Sequence, residues 1–219
     1  MELWEESLRY VREAIRNDDM DWLHIGIGRE RTGKSSLAWT TCQIIDPTFD
    51  ADRVAFNNEE MEALIRTCDK GAAILYDEGQ KGLYSREASS KNNRIFNKIM
   101  MKSAGLNLFM YINTPSFLSL DWYIRKHRAM SVTRTIWVPV RKQSEENPKK
   151  SRITLIRGIF EFYDASKLDK IYRDDKTSQI LYPKPTYLDT FPKVDAKDPE
   201  WQEYLKRKDD YMKSDEHEE

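Results

Sequence analysis

The stretch Gly28-Arg29-Glu30-Arg31-Thr32-Gly33-Lys34-Ser35 satisfies the pattern G-x-x-x-x-G-K-[ST] in full, and that pattern admits few folds. Such a turn works only between a buried strand and a helix, because its backbone amides and the helix N-terminus must together surround an anion. Its neighbours agree: residues 22–27 are short and mostly apolar like a buried strand, and residues 36–45 read as a helix. On this reading Gly28, Arg29, Glu30, Arg31, Thr32, Gly33, Lys34, Ser35 and Ser36 line a nucleotide's phosphates. Lys34 reaches the β and γ phosphates and the Ser35 hydroxyl coordinates Mg²⁺, which makes ATP and Mg²⁺ the expected cofactors.

A second element follows downstream. Residues 71–76 form a small apolar run ending in Asp77 and Glu78, as when a buried strand delivers acids to the carboxyl edge of a sheet. Asp77 is expected to hold the metal, directly or through water, and Glu78 to polarise an attacking water as general base. Asp-Glu at a strand end is common by itself; after the glycine-rich turn it acquires this meaning.

Between these segments the chain alternates strand and helix signals. Leu3, Trp4, Leu8, Val11 and Ile15 recur at helical spacing over 2–17. Residues 54–56 read as a short strand, and Asn57 with Glu60 forms a capping box opening a helix to about residue 68. An amphipathic helix is expected over 89–103, a strand over 106–112 closing at Asn113-Thr114-Pro115, and a helix over 116–128. Residues 132–140 and 153–162 carry a hairpin signal. A short helix over 165–172 follows, then an extended arm marked by Pro183, Pro185 and Pro192, a helix near 201–212 and a tail over 214–219 expected to be without structure. The predicted fold is α/β: a mainly parallel sheet covered by helices, with an added β-hairpin and a C-terminal arm. Residues 1–182 are expected to form the main domain and residues 183–219 the arm and acidic tail. Ligand contacts should gather at the strands' carboxyl ends, from residues 28–35, Asp77-Glu78, Asn113 and the turn after Phe56.

Charge is segregated beneath a net charge of −1. Residues 1–78 carry 9 Lys/Arg against 17 Asp/Glu, and residues 79–157 carry 16 against 4. The basic block includes Lys81, Arg86, Lys91, Arg94, Lys98 and Lys102 and suggests a polyanion-facing surface; the bland alternative is that basic and acidic segments pair within the fold. The longest apolar run is too short to cross a bilayer, so no membrane insertion is expected and the chain is placed in the cytoplasm, the host's if it is viral. Cys42 and Cys68 lack metal-ligand spacing and read as ordinary thiols.

These residues together resemble the P-loop ATPases in which a catalytic glutamate follows the Walker B aspartate, and among them the FtsK/HerA-like motors, including viral genome-packaging and zonula occludens toxin-like ATPases. The resemblance spans about residues 20–140 and rests on Gly28 to Ser35, Asp77-Glu78, Ser85-Arg86 and Tyr111-Ile112-Asn113-Thr114-Pro115-Ser116. It implies that Asn113 takes the place of a polar sensor, often glutamine in the family, between water and γ-phosphate. It also implies a ring-forming homo-oligomer acting on DNA, with viral or mobile-element protein partners. In such rings an arginine of the adjacent subunit completes the site, and Arg86, Arg125 and Arg128 are the candidates. Two alternatives share the same elements: a helicase-loader-type AAA+ ATPase, which would want a helical lid with a sensor arginine, and a nucleotide-dependent assembly switch without turnover.

Overall fold

In the computed structural model, residues 2–77, 89–143 and 151–215 are described. Helix α1 (Glu2–Asn17) leads into β1 (Trp22–Gly28), and the glycine-rich turn connects β1 to α2 (Lys34–Ile45). Then come β2 (Val54–Ala55), α3 (Asn58–Thr67), β3 (Ala73–Tyr76), α4 (Ser89–Lys102) and β4 (Phe109–Asn113). A long hairpin of β5 (Ala129–Gln143) and β6 (Ser151–Asp164) precedes the one-turn helix α5 (Ala165–Leu168). The strands β7 (Tyr172–Arg173), β8 (Ile180–Leu181) and β9 (Tyr187–Thr190) and the helix α6 (Pro199–Asp215) complete it.

The described strands form a seven-stranded sheet in the order β2-β3-β4-β1-β5-β6-β9, with β7 and β8 a separate pair. The first five run parallel, and β6 and β9 add antiparallel. The sheet is therefore mainly parallel with both faces covered, which explains strands that are apolar at almost every position. Along β4, Phe109 and Tyr111 face the cluster built on α1, α2 and α6, while Met110 and Ile112 face the cluster built on α3 and α4. Because β4 is inserted between β1 and β3, its carboxyl end is flanked by the glycine-rich turn on one side and Asp77 on the other.

Local signals account for most boundaries. The Asn57 side chain accepts from the Glu60 amide at 2.8 Å while a Glu60 carboxylate oxygen accepts from the Phe56 amide at 2.9 Å, so α3 opens on a variant of the expected capping box whose return bond falls one residue before the N-cap. Three expectations need correction. Residues 116–128 do not form one helix: a 3-10 turn at Phe117–Ser119 is followed, after a break, by a helical stretch over 122–128 whose Ile124–Arg128 part is π-helical, opened by Asp121, whose side chain accepts from the Tyr123 amide. The helix expected over 165–172 ends at Leu168, and Tyr172 already pairs with Leu181. Leu3 is 51% exposed, so the stripe of α1 is carried by Trp4, Leu8, Val11 and Ile15. The proline-marked segment pairs as β9 with β6, and α6 lays Trp201 and Tyr204 on α2. The tail beyond residue 215 lies outside the described residues. Cys42 and Cys68 are free and belong to opposite faces of the sheet. No helix among the described residues is long and apolar enough to cross a membrane.

One polar group is buried in the middle of β1. His24 is fully buried, with Nδ1 2.7 Å from Ser131 Oγ and Nε2 2.9 Å from Thr133 Oγ1, and its ring lies 4.6 Å from that of Tyr111. Burial lowers its pKa from 6.5 to about 3, so the folded protein holds it neutral. The unfolded chain takes up a proton below 6.5 that the fold refuses until about 3; stability is therefore complete above 6.5 and falls as the pH drops through that window. His24 should contribute a slope approaching ~1.4 kcal/mol per pH unit. Urea unfolding of wild type and His24→Gln at several pH values should show a shallower acid loss in the variant, and identical pH profiles would refute the assignment.

Candidate functional site

The turn after β1 is held open by glycines and tied down by threonines. Gly28 has φ +146° and Gly33, the residue preceding α2, has φ +100°, conformations that disfavour any side chain. A Cβ on Gly28 would sit 2.3 Å from Thr135 Oγ1 and 2.7 Å from the Thr135 carbonyl oxygen. Thr32, buried, donates its hydroxyl to the Arg29 carbonyl at 2.6 Å, and its Oγ1 lies 2.7 Å from that of Thr135 on β5. The Thr32 side chain thus holds the loop. Arg29, Glu30 and Arg31 are exposed. Lys34 Nζ donates to the carbonyls of Gly28 (2.9 Å) and Arg29 (3.0 Å), arching over the same loop that a phosphate would enter.

The sheet brings three further groups to the start of α2. Ser35 Oγ donates to Asp77 Oδ2 at 3.2 Å, and Asn113 Nδ2 donates to Asp77 Oδ1 at 2.8 Å. Asp77 is 1% exposed. Its second oxygen also accepts from the Tyr204 hydroxyl and, at 3.0 Å, from Lys208 Nζ, both on α6. Burial by itself would raise the Asp77 pKa, but the Lys208 charge and the hydrogen bonds of Tyr204, Asn113 and Lys208 outweigh it and hold the carboxyl below the usual range, so it is ionised at neutral pH. These residues line a cavity of about 490 Å³ together with Gly33, Ser36, Trp201, Leu205 and Met212.

The residues fit a magnesium–nucleotide pair on their own chemistry. Two hard oxygen donors, Ser35 and an ionised Asp77, adjoin each other. No side chain caps the Gly33 end of α2, so the first amides of the helix face this cavity. Asn113 Oδ1 is buried with no hydrogen-bond partner among the described residues, a polar atom that a ligand or water would satisfy.

Of the expected site residues, the structure gathers Gly28, Gly33, Lys34, Ser35, Ser36, Asp77 and Asn113. Glu30 and Arg31 also line the cavity, whereas Arg125 and Arg128 do not. Arg128 precedes β5 at the opposite sheet edge, 2.7 Å from Asp21, and Arg125 donates through Nε to the Leu120 carbonyl at 3.0 Å. Glu78, Lys81, Ser85 and Arg86 lie outside the described residues. Tyr204 and Lys208 were not among the expected site residues. A partial signal was present, because Trp201, Tyr204 and Lys208 fall on one stripe of the final helix, which marks the face it buries.

No protein-family model matches the chain, and no curated protein matches it. Among solved structures it is similar to the N-terminal domain of zonular occludens toxin from Neisseria meningitidis, at 13% identity and a TM-score of 0.36, over 63% of this chain and 94% of that one.

The glycine-rich turn gives a test that needs no ligand. Gly28→Ala should destabilise the fold by about 1–3 kcal/mol through strain and the two close approaches to Thr135. Adding Thr135→Ala removes the hydroxyl clash but not the carbonyl one, so thermal unfolding of the double variant should recover part of the loss. A Gly28→Ala protein as stable as wild type would show that this backbone geometry is wrong.

Proposed function

We propose that this protein is a magnesium-dependent ATPase whose turnover drives movement of DNA, as in genome packaging or transfer. The observation that carries the hydrolytic part is the convergence of the Ser35 hydroxyl, the Asp77 carboxylate and the Asn113 amide at the uncapped start of α2, beside the loop that Lys34 spans. Lys34 and the amides of the turn hold the β and γ phosphates. Mg²⁺, when bound, neutralises developing phosphate charge, and Ser35 and Asp77 hold it. Asn113, fixed to Asp77 through Nδ2, keeps Oδ1 for orienting a water. Glu78 is assigned as general base because it follows Asp77 directly in the chain. A ring of subunits, with Arg125 or Arg86 of a neighbour reaching the phosphates, completes the proposal.

Lys34→Ala should abolish ATP binding measured by equilibrium titration. Glu78→Gln should retain ATP while turnover drops by at least ~100-fold, the contribution of a general base. Wild-type turnover in Glu78→Gln would remove the base assignment; tight binding without turnover in the wild type would favour the assembly switch.

The DNA part rests on charge, and ion pairing narrows it. Lys102 pairs with Glu62 at 2.9 Å, Lys126 with Asp169 at 2.6 Å and Arg134 with Glu161 at 2.6 Å, whereas Arg94 and Lys98 are exposed along α4. Duplex DNA affinity of the nucleotide-bound protein should fall with salt, and Arg94→Ala/Lys98→Ala should lower the log-log slope by roughly 0.9 per lost phosphate contact. Absence of DNA binding at low salt would reject the motor reading and leave the nucleotide site standing.

A further inference from the structure

The two oxygens assigned to magnesium already hold a cation from the chain itself. Lys208 Nζ lies 3.0 Å from Asp77 Oδ2 and 3.4 Å from Ser35 Oγ, so it shares both groups. An ionised carboxylate that is 1% exposed needs a partner when nucleotide is absent, and this ammonium supplies one. Mg²⁺ requires its oxygens at about 2.0–2.1 Å in near-octahedral array. An ammonium within hydrogen-bond distance of the same oxygens would crowd that array and repel the metal strongly in a medium of low dielectric.

Resting on the nucleotide reading above, we propose that Lys208 is a resident of the metal position, a built-in cation that occupies it in the nucleotide-free protein and withdraws when Mg²⁺ binds with ATP. The helix that carries it need not leave. Trp201 packs against Trp39 with ring centroids 5.4 Å apart, and the Arg207 guanidinium donates to the carbonyls of Ala51 and Val54. These contacts fix the helix while the flexible lysine stem pivots toward solvent; the Lys208 side chain is already 22% exposed. Displacement of the ammonium is then a fixed cost on metal-dependent binding only. ATP without metal leaves Lys208 in place, whereas ATP with Mg²⁺ must replace it.

Affinity for a non-hydrolysable ATP analogue should be measured with Mg²⁺ and with EDTA, in wild type and in Lys208→Met. The enhancement by Mg²⁺ should be about tenfold greater in the variant, within the range typical of coupled sites. An enhancement equal to or smaller than that of wild type would overturn the proposal and make Lys208 an ordinary phosphate contact or a structural ion pair. A measurement on the unaltered chain covers a variant that folds poorly. Acylation of the Lys208 amine, followed by mass spectrometry, should be slow in the free protein and with analogue plus EDTA, and accelerated with analogue plus Mg²⁺. Unchanged acylation while the analogue binds would refute the displacement yet leave the nucleotide site intact. Failure of both proteins to bind the analogue under any condition would sink the nucleotide reading and this inference with it.

Discussion

Everything near the carboxyl edge of the sheet answers to one buried negative charge. Asp77 sits just past the end of β3 with almost no contact to water, and a carboxylate so placed is tolerated only if donors surround it. They come from three separate elements: Ser35 at the start of α2, Asn113 at the end of β4, and Tyr204 and Lys208 on α6. The strand order makes the first two possible, since inserting β4 between β1 and β3 places the Asn113 amide within reach of the Asp77 carboxylate. The last two explain why the C-terminal helix docks where it does, with an aromatic stripe against α2 and a lysine over the acid.

Much of this arrangement was legible in the chain because it rests on local chemistry. The glycine-rich turn demands a strand before it and a helix after it, and both are found; the Asn57–Glu60 cap, the β5–β6 hairpin and the apolar strands follow rules that operate over a few residues. The failures have a physical pattern too. The stretch over 116–128 has helical composition, yet Ser116 and Asp121 each bond a nearby backbone amide and break the run in two. The site residues on α6 escaped because their meaning depends on a contact spanning more than a hundred residues, and spacing within a helix says which face is buried but not against what. Charge segregation was a similar case. Acidic and basic blocks are visible in the sequence, but only the fold reveals that Lys102, Lys126, Arg128 and Arg134 are matched to carboxylates.

The two faces of the sheet also differ in kind. The face covered by α3 and α4 is a conventional apolar layer. The other carries His24, Tyr111, Ser131 and Thr133 in a closed set of hydrogen bonds, with the Trp22 indole donating to Ser131 at 3.0 Å. A satisfied polar cluster of this sort fixes register, because sliding β5 against β1 by one residue would strand every member without a partner.

That fixed register has a mechanical side. β5 pairs with β1 only as far as Gly28 and Thr135, yet the strand continues to Gln143 and stays joined to β6 throughout. Eight residues therefore project beyond the shared edge, roughly 25 Å of two-stranded ribbon at strand rise. Its base is the Thr135 hydroxyl that touches Thr32 in the glycine-rich turn. At that length, a tilt of a few degrees at Thr135 would carry the far end through about an ångström or more, so the loop and the ribbon tip are geometrically coupled through this one contact.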